Sequence, residues 1–306
     1  MSELNYQDGM VVENRDHAIF IEANFKTEDM DAIKDAIAEF MARIRSYKTR
    51  YGHMGIASVM AFGQQAWKKL SGNDDSAPEL FDLTDKAHGM VAGTQRDLFV
   101  HLVSNEHKMN FTLAQEFVRI FKDVVTIEEE VHGFRWLDAR DLGGFVDGTE
   151  NPKGIQDRVD VAVINDGIDA GGSYVIAQRW EHHLEQFHHL DLATQEGTFG
   201  RTKQDDIEMG DDEKPVGAHT ERVVIEEDGE ELEIVRQSLP YGQASGKHGL
   251  YFVGYCVHLT AIDAMLTNMC GEKDEHFDRM FCYTHAVTGS YLYAPSVDQL
   301  DALGDD

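Results

Sequence analysis

The chain has 306 residues, 42% of them apolar, with 27 Lys and Arg set against 56 Asp and Glu, a formal net charge of −29. A surface this acidic repels phosphate backbones and anionic bilayers, which excludes nucleic acid and membrane surfaces as expected partners. No run approaches 18 apolar residues, and Met1–Asp16 is polar and acidic without the basic and apolar regions of a secretory signal, so a cytoplasmic protein is expected.

His17–Phe25 alternates apolar and polar positions and predicts a half-buried strand. Thr27 is the expected N-cap of an amphipathic helix running to about Arg50, with Ile33, Ile37, Phe40 and Ile44 at helical spacing. Gly55–Phe62 reads as a second strand, followed by a polar stretch around Ser71–Ser76. Leu98–Val103 is a third strand, Glu106–Phe121 a second helix, and Val124–Trp136 a fourth strand. The second half repeats this order. Ser173–Trp180 is a strand, Glu181–Leu192 a His-rich helical segment, Leu232–Ser238 and Gly249–His258 two strands, Thr260–Cys270 a helix and Val287–Ala294 a closing strand. A long insertion lies between Asp191 and Glu230. The pattern β-α-β-β-α-β, read twice, predicts an α+β protein of two ferredoxin-like modules with antiparallel sheets, over residues 1–140 and 141–306.

Three strings carry chemistry. Gly143–Gly154 (GGFVDGTENPKG) sets Asp147 between Val146 and Gly148, and Gly143, Gly144 and Gly148 permit positive φ and close approach of a ligand to the backbone. The same string also suits a plain turn between two domains, with Asp147 accepting backbone hydrogen bonds. Lys214–Val224 (KPVGAHTERVV) places His219 after a loop containing Pro and Gly, where a lone histidine is by default a surface residue. Glu233–Gly246 (EIVRQSLPYGQASG) puts Arg236 in an otherwise apolar strand, and a guanidinium buried there needs a partner.

In this order and at these separations, the three strings resemble the DyP-type (dye-decolourising) haem peroxidases. GGFVDGTENP contains that family's GFxDGxxNP pattern, and Asp278–Pro295 (DRMFCYTHAVTGSYLYAP) is similar to its C-terminal pattern. The resemblance implies one haem b at the junction of the two modules, which carries hydrogen peroxide reduction and oxidation of small aromatic, dye-like or porphyrin-type donors. It makes His219 the proximal ligand of the haem iron and Asp278 the carboxylate that takes its other N–H, although Glu221 is nearer in sequence. Asp147 is then the proton shuttle, Arg236 the stabiliser of negative charge on peroxide, and Gly148 a contact of the cofactor. An asparagine found in some members two residues after the arginine is Ser238 here, which puts the rate of peroxide activation in question. No twin-arginine export signal is present, which points to a cytoplasmic subgroup. A non-catalytic haem or porphyrin binder, or an iron-release protein, would use His219 as well but would need neither Asp147 nor Arg236.

Cys256, Cys270 and Cys282 form neither an even disulfide framework nor a zinc spacing, and no CxxCH occurs to attach a c-type haem. His182, His183, His188 and His189 lack a matched i, i+4 pair for a metal, and Asp205–Glu213 lacks the glycine position of a calcium loop. Electrons from bulky donors could hop through Trp136, Trp180, Tyr251 or Tyr255, each of which also suits a core or strand position. Activity is expected to be best at mildly acidic pH, because a carboxylate serves as the base. Exposed sheet edges of such modules often pair, so a homo-oligomer is expected.

Overall fold

A computed structural model describes residues 4–227 and 229–304; Met1–Glu3 of the acidic start and Asp305–Asp306 of the second module lie outside the described residues. In the first half, β1 (His17–Phe25), α1 (Met30–Tyr51), β2 (Ala57–Phe62), β3 (Leu98–Ser104), α2 (His107–Phe121) and β4 (Val125–Phe134) follow the expected order. β1 lies between β3 and β4, with Ile19 opposite Leu102 on one side and His132 on the other, and β3 pairs onward with β2. All three ladders are antiparallel, giving the order β2-β3-β1-β4 of a ferredoxin-like sheet.

The second half contains α3 (Ile155–Ala162), β5 (Ser173–His182), α4 (Leu192–Phe199), α5 (His219–Val223), β6 (Val235–Arg236), β7 (Leu239–Gly242), β8 (His248–Cys256), α6 (Leu259–Met269), β9 (Thr284–Ala286) and β10 (Ser290–Ala294). β5 is central here: β8 runs antiparallel along one edge, and β9 and β10 along the other. β6 and β7 pair with the far edge of β8. Two further contacts, Gly133 with Tyr241 and Tyr293 with Phe62, join the two sheets on both sides into one closed ring.

Ring closure explains the main departures from the sequence expectation. β1 is buried on both faces rather than half-buried: Ile19 and Ile21 pack toward α1 and α2, and Ala18 and Phe20 toward the ring interior with Tyr251, Val253 and Tyr255. Phe40, Phe117 and Phe121 lock the two helices together, each fully buried and each contributing roughly 1.5–3 kcal/mol. The N-cap of α1 is Asp29, whose Oδ1 accepts from the Ala32 N–H at 3.1 Å; the Thr27 hydroxyl instead accepts from the Asp29 N–H. A helix over Gln64–Ser71, too short to show a clear period, precedes the polar stretch. The His-rich segment is not one helix, because β5 continues to His182 and only Leu184–His188 turns helical. The strand expected over Leu232–Ser238 is reduced to β6, broken from β7 where Gln237 and Ser238 leave the ladder.

Candidate active site

The glycine-rich loop is pinned by its own backbone. The Asp147 N–H donates to the Ala139 carbonyl at 2.9 Å and the Gly144 N–H to the Asp141 carbonyl at 2.8 Å. Gly144 has φ 94°, and a Cβ there would stand 2.6 Å from Cε of Lys203, so only glycine fits. Asn151 then ties the loop to β6. Its Oδ1 accepts from the Arg236 N–H at 2.8 Å and its Nδ2 donates to the Arg236 carbonyl at 2.9 Å, replacing the strand neighbour that β6 lacks on that side. Two strings far apart in the chain are thereby held in one register, with Asp147 and Arg236 on the same cavity wall lining.

His219 opens α5. Its Nδ1 lies 2.7 Å from Oδ2 of Asp278, a carboxylate that is only 1% exposed. The other oxygen of Asp278 accepts from the Met280 N–H at 2.8 Å and caps the short turn Arg279–Cys282. With both oxygens used, the carboxylate fixes the imidazole with Nδ1 as donor and leaves the Nε2 lone pair free. Among the described residues Nε2 makes no hydrogen bond, and the Phe199 ring packs edge-on against the imidazole at 6.3 Å. Glu221, the alternative partner, turns back to accept from the Gly217 N–H instead.

Asp147, Gly148, His219 and Arg236 all line one cavity of about 340 Å³. That volume falls in the range of sites for organic ligands. Its walls are largely apolar, including Phe199, Phe252, Ile262, Leu266 and Met269, with Trp180 at the end of β5. Glu150, Glu208, Glu231 and Glu233 also line it, which makes this cavity acidic on its polar side. Burial raises the Glu231 carboxyl above its ordinary value, and the charges of Glu233, Glu150, Glu208 and Glu226 raise it further.

Burial likewise raises Asp147 above the ordinary carboxylate range. The Arg236 charge opposes this, the Asp141 charge adds to it, and the Gly148 N–H and His219 work against it; burial wins. Asp141 goes the other way. Burial alone would raise it, but the His182 imidazole and the amides of Gly143 and Leu142 hold it below the ordinary value. The Arg236 guanidinium has no hydrogen-bond partner among the described residues, so its donors remain available to a ligand.

The family described as "Dyp-type peroxidase, N-terminal" matches residues 7–135, and "Dyp-type peroxidase, C-terminal" matches residues 138–299. The chain belongs to the DyP-type peroxidase family. A dye-decolorizing peroxidase of Rhodococcus erythropolis is 36% identical over 291 residues, covering 93% of this chain and 85% of its own. Among solved structures, a dye-decolorizing protein from V. cholerae superposes with a TM-score of 0.91 at 35% identity, covering 97% of this chain and 99% of its own. A Rhodococcus jostii RHA1 DypB variant in complex with heme superposes with a TM-score of 0.90 at 30% identity, covering 96% of this chain and 97% of its own. The protein is a peroxidase, and membership of this family disfavours the non-catalytic carrier.

In this DyP-type peroxidase the structure brings Asp147, Gly148, His219 and Arg236 to one cavity and sets Asp278 behind His219. Ser238 is not among the lining residues. Its Oγ accepts from the Val253 N–H at 3.3 Å, and it faces a different cavity. Sequence reading missed a chain of three residues in the main cavity: His182 meets Asp141 through Nε2 at 2.9 Å and Thr284 through Nδ1 at 2.8 Å. The only signal for it was a histidine at the end of an apolar strand. His182 thus separates from its neighbours in the His-rich segment, where His189 bonds the Glu185 carbonyl through Nδ1.

The Asp278 contact yields a first prediction. Asp278→Asn replaces a charged acceptor with a neutral amide at the imidazole, and changes of this kind cost roughly 10–100-fold in affinity or activity at metal-binding histidines. Haem titration and peroxidase rate should both fall by that order. Wild-type values for both would show that the contact does not tune His219.

Proposed function

We propose that this peroxidase holds one haem b in the 340 Å³ cavity, ligated by Nε2 of His219, and that Asp147 and Arg236 act on hydrogen peroxide. The observation that carries this reading is the imidazole itself: its Nδ1 is committed to a buried carboxylate and its Nε2 is free within an apolar-walled cavity. The residues fit the group. Apolar walls suit a porphyrin, and the Arg201 and Arg236 guanidinium groups on the lining suit its carboxylates. No cysteine lines the cavity among the described residues, in keeping with non-covalent binding. When bound, haem supplies the redox chemistry: two-electron reduction of peroxide followed by one-electron oxidation of donors.

The chain's own residues provide the rest. Asp147 accepts a proton from one peroxide oxygen and returns it to the departing one, so that water leaves instead of hydroxide. Its raised pKa narrows the gap to the proton it must take. Arg236, whose guanidinium has no hydrogen-bond partner among the described residues, donates to the peroxide oxygens as negative charge grows on them. The acidic lining favours neutral and cationic aromatic donors over anionic dyes.

Arg236→Leu tests the second assignment. Mixing the haem-loaded variant with hydrogen peroxide should show normal haem binding and a reaction slowed on the order of 10²–10³-fold. Reaction at the wild-type rate would remove Arg236 from the mechanism.

The division into modules 1–140 and 141–306 is supported by the separate family matches over 7–135 and 138–299. A cytoplasmic location is supported by three unpaired cysteines, of which Cys282 is exposed. Among the described residues no helix is long and apolar enough to cross a membrane. A homo-oligomer would use surfaces other than the edges of β5, because both of these are already paired.

A further inference from the structure

A second cavity, of about 270 Å³, lies beside the first and shares Asp147, Gly148 and Arg236 with it. Its charge is inverted relative to the rest of the molecule. Arg15, Arg135, Arg140, Lys153, Arg158 and Arg236 line it, against the carboxylates of Glu13 and Asp147 alone. This concentration occurs in a chain with 56 acidic and 27 basic side chains.

Most of these cations lack a close carboxylate. Arg158 is 5% exposed; its Nη1 donates to the Val12 carbonyl at 2.8 Å, its Nε has no partner among the described residues, and Glu13 stands 4.0 Å away. Arg15 donates to the carbonyls of Gly55 and Glu13, each at 2.8 Å, and Arg135 to Oδ1 of Asn14 at 3.3 Å. The Lys153 ammonium and the Arg236 guanidinium have no hydrogen-bond partner among the described residues. Arg140 has a close carboxylate, Asp138, at 2.9 Å. Arg158 is buried and Arg15, Arg135, Arg140 and Arg236 are half-buried; a guanidinium withdrawn from water without a counter-charge is costly, and an anion that joins several of them offsets that cost. Guanidinium forks match the oxygens of carboxylates and phosphates, and a polar cavity with several of them suits a charge of more than one.

We propose that this second cavity is a binding site for a small multivalent oxoanion, a polycarboxylate or a polyphosphate, and that its occupancy slows the reaction with peroxide. The binding itself is independent of the peroxidase mechanism. The effect on rate rests on the reading that Asp147 and Arg236 act on peroxide, since the anion and peroxide then meet at the same residues.

The test is calorimetric titration of the haem-loaded protein with citrate and, separately, with inorganic pyrophosphate at low ionic strength. We expect one ion per chain, affinity that falls with added salt, and a loss of about tenfold or more in Arg135→Gln/Lys153→Gln, the equivalent of one charged hydrogen bond. Arg158→Gln should lose more; because its buried site makes misfolding a risk, the double variant at less buried positions keeps the test decisive. Binding of citrate alone assigns a carboxylate ligand and of pyrophosphate alone a phosphate ligand, and either supports the site. Absence of binding by both overturns it, as does binding that the double variant retains at wild-type affinity, which would place the ion elsewhere. With the anion held near its wild-type Kd, reaction with peroxide should slow in the wild type and far less in the double variant. An unchanged rate with the ion demonstrably bound would refute the coupling while leaving both the site and the peroxidase reading intact.

Discussion

His219→Ala is expected to abolish most haem binding while leaving the chain folded. The His219 imidazole lines the cavity with the Nε2 lone pair presented by a fixed hydrogen bond, Nδ1 being held by Asp278 at 2.7 Å. Its removal takes away the ligand itself, so the loss should exceed the roughly 10–100-fold that changes behind a ligand cost. The variant also leaves Oδ2 of a buried carboxylate without its partner, a penalty of about 1–3 kcal/mol that a thermal melt would detect. Haem titration followed by absorbance measures the effect. Tight binding with an unaltered spectrum would mean that another residue holds the iron.

The second large effect belongs to Asp147. In Asp147→Asn the amide keeps the shape but cannot take a proton, and the peroxide reaction should fall by roughly 10²–10⁴-fold. The pH dependence gives a sharper signature. Only the ionised carboxylate is a base, so the wild-type rate should drop as pH falls through the pKa of Asp147. Burial raises that value above the ordinary figure of about 4, so the drop should begin at higher pH than an exposed aspartate would give. In the asparagine variant this acid limb should vanish. An acid limb unchanged in the variant would assign it to another group, and Asp141, held below the ordinary value, would be the wrong candidate.

Much of this architecture was legible because strands and helices advertise their periods. β1, α1, β3, α2 and β4 fell within a few residues of expectation. What escaped was whatever depends on the closed ring. The apolar run Ala18–Ile21 signals burial on both faces of β1, yet nothing local says that a second sheet covers one of them. The site divides in the same way. Asp147, His219, Arg236 and Asp278 stood out through a family resemblance, and spacing alone left Asp147 balanced between turn and site. The Asn151–Arg236 tie, the Asp141–His182–Thr284 chain and the cationic cavity each join segments far apart in sequence. No window of the chain contains them, so only the fold reveals them.

The free Nε2 of His219 is expected to ligate one haem whose reaction with peroxide Asp147 and Arg236 promote. The most direct measurement loads the purified protein with haemin and records its visible spectrum before and after one equivalent of hydrogen peroxide. A sharp Soret band at one haem per chain that bleaches and shifts within about a second, on the time scale of enzymatic turnover, and recovers with an aromatic reductant is the predicted result. A stable Soret band indifferent to peroxide, or no specific band at all, would rule out haem-dependent peroxide turnover at His219.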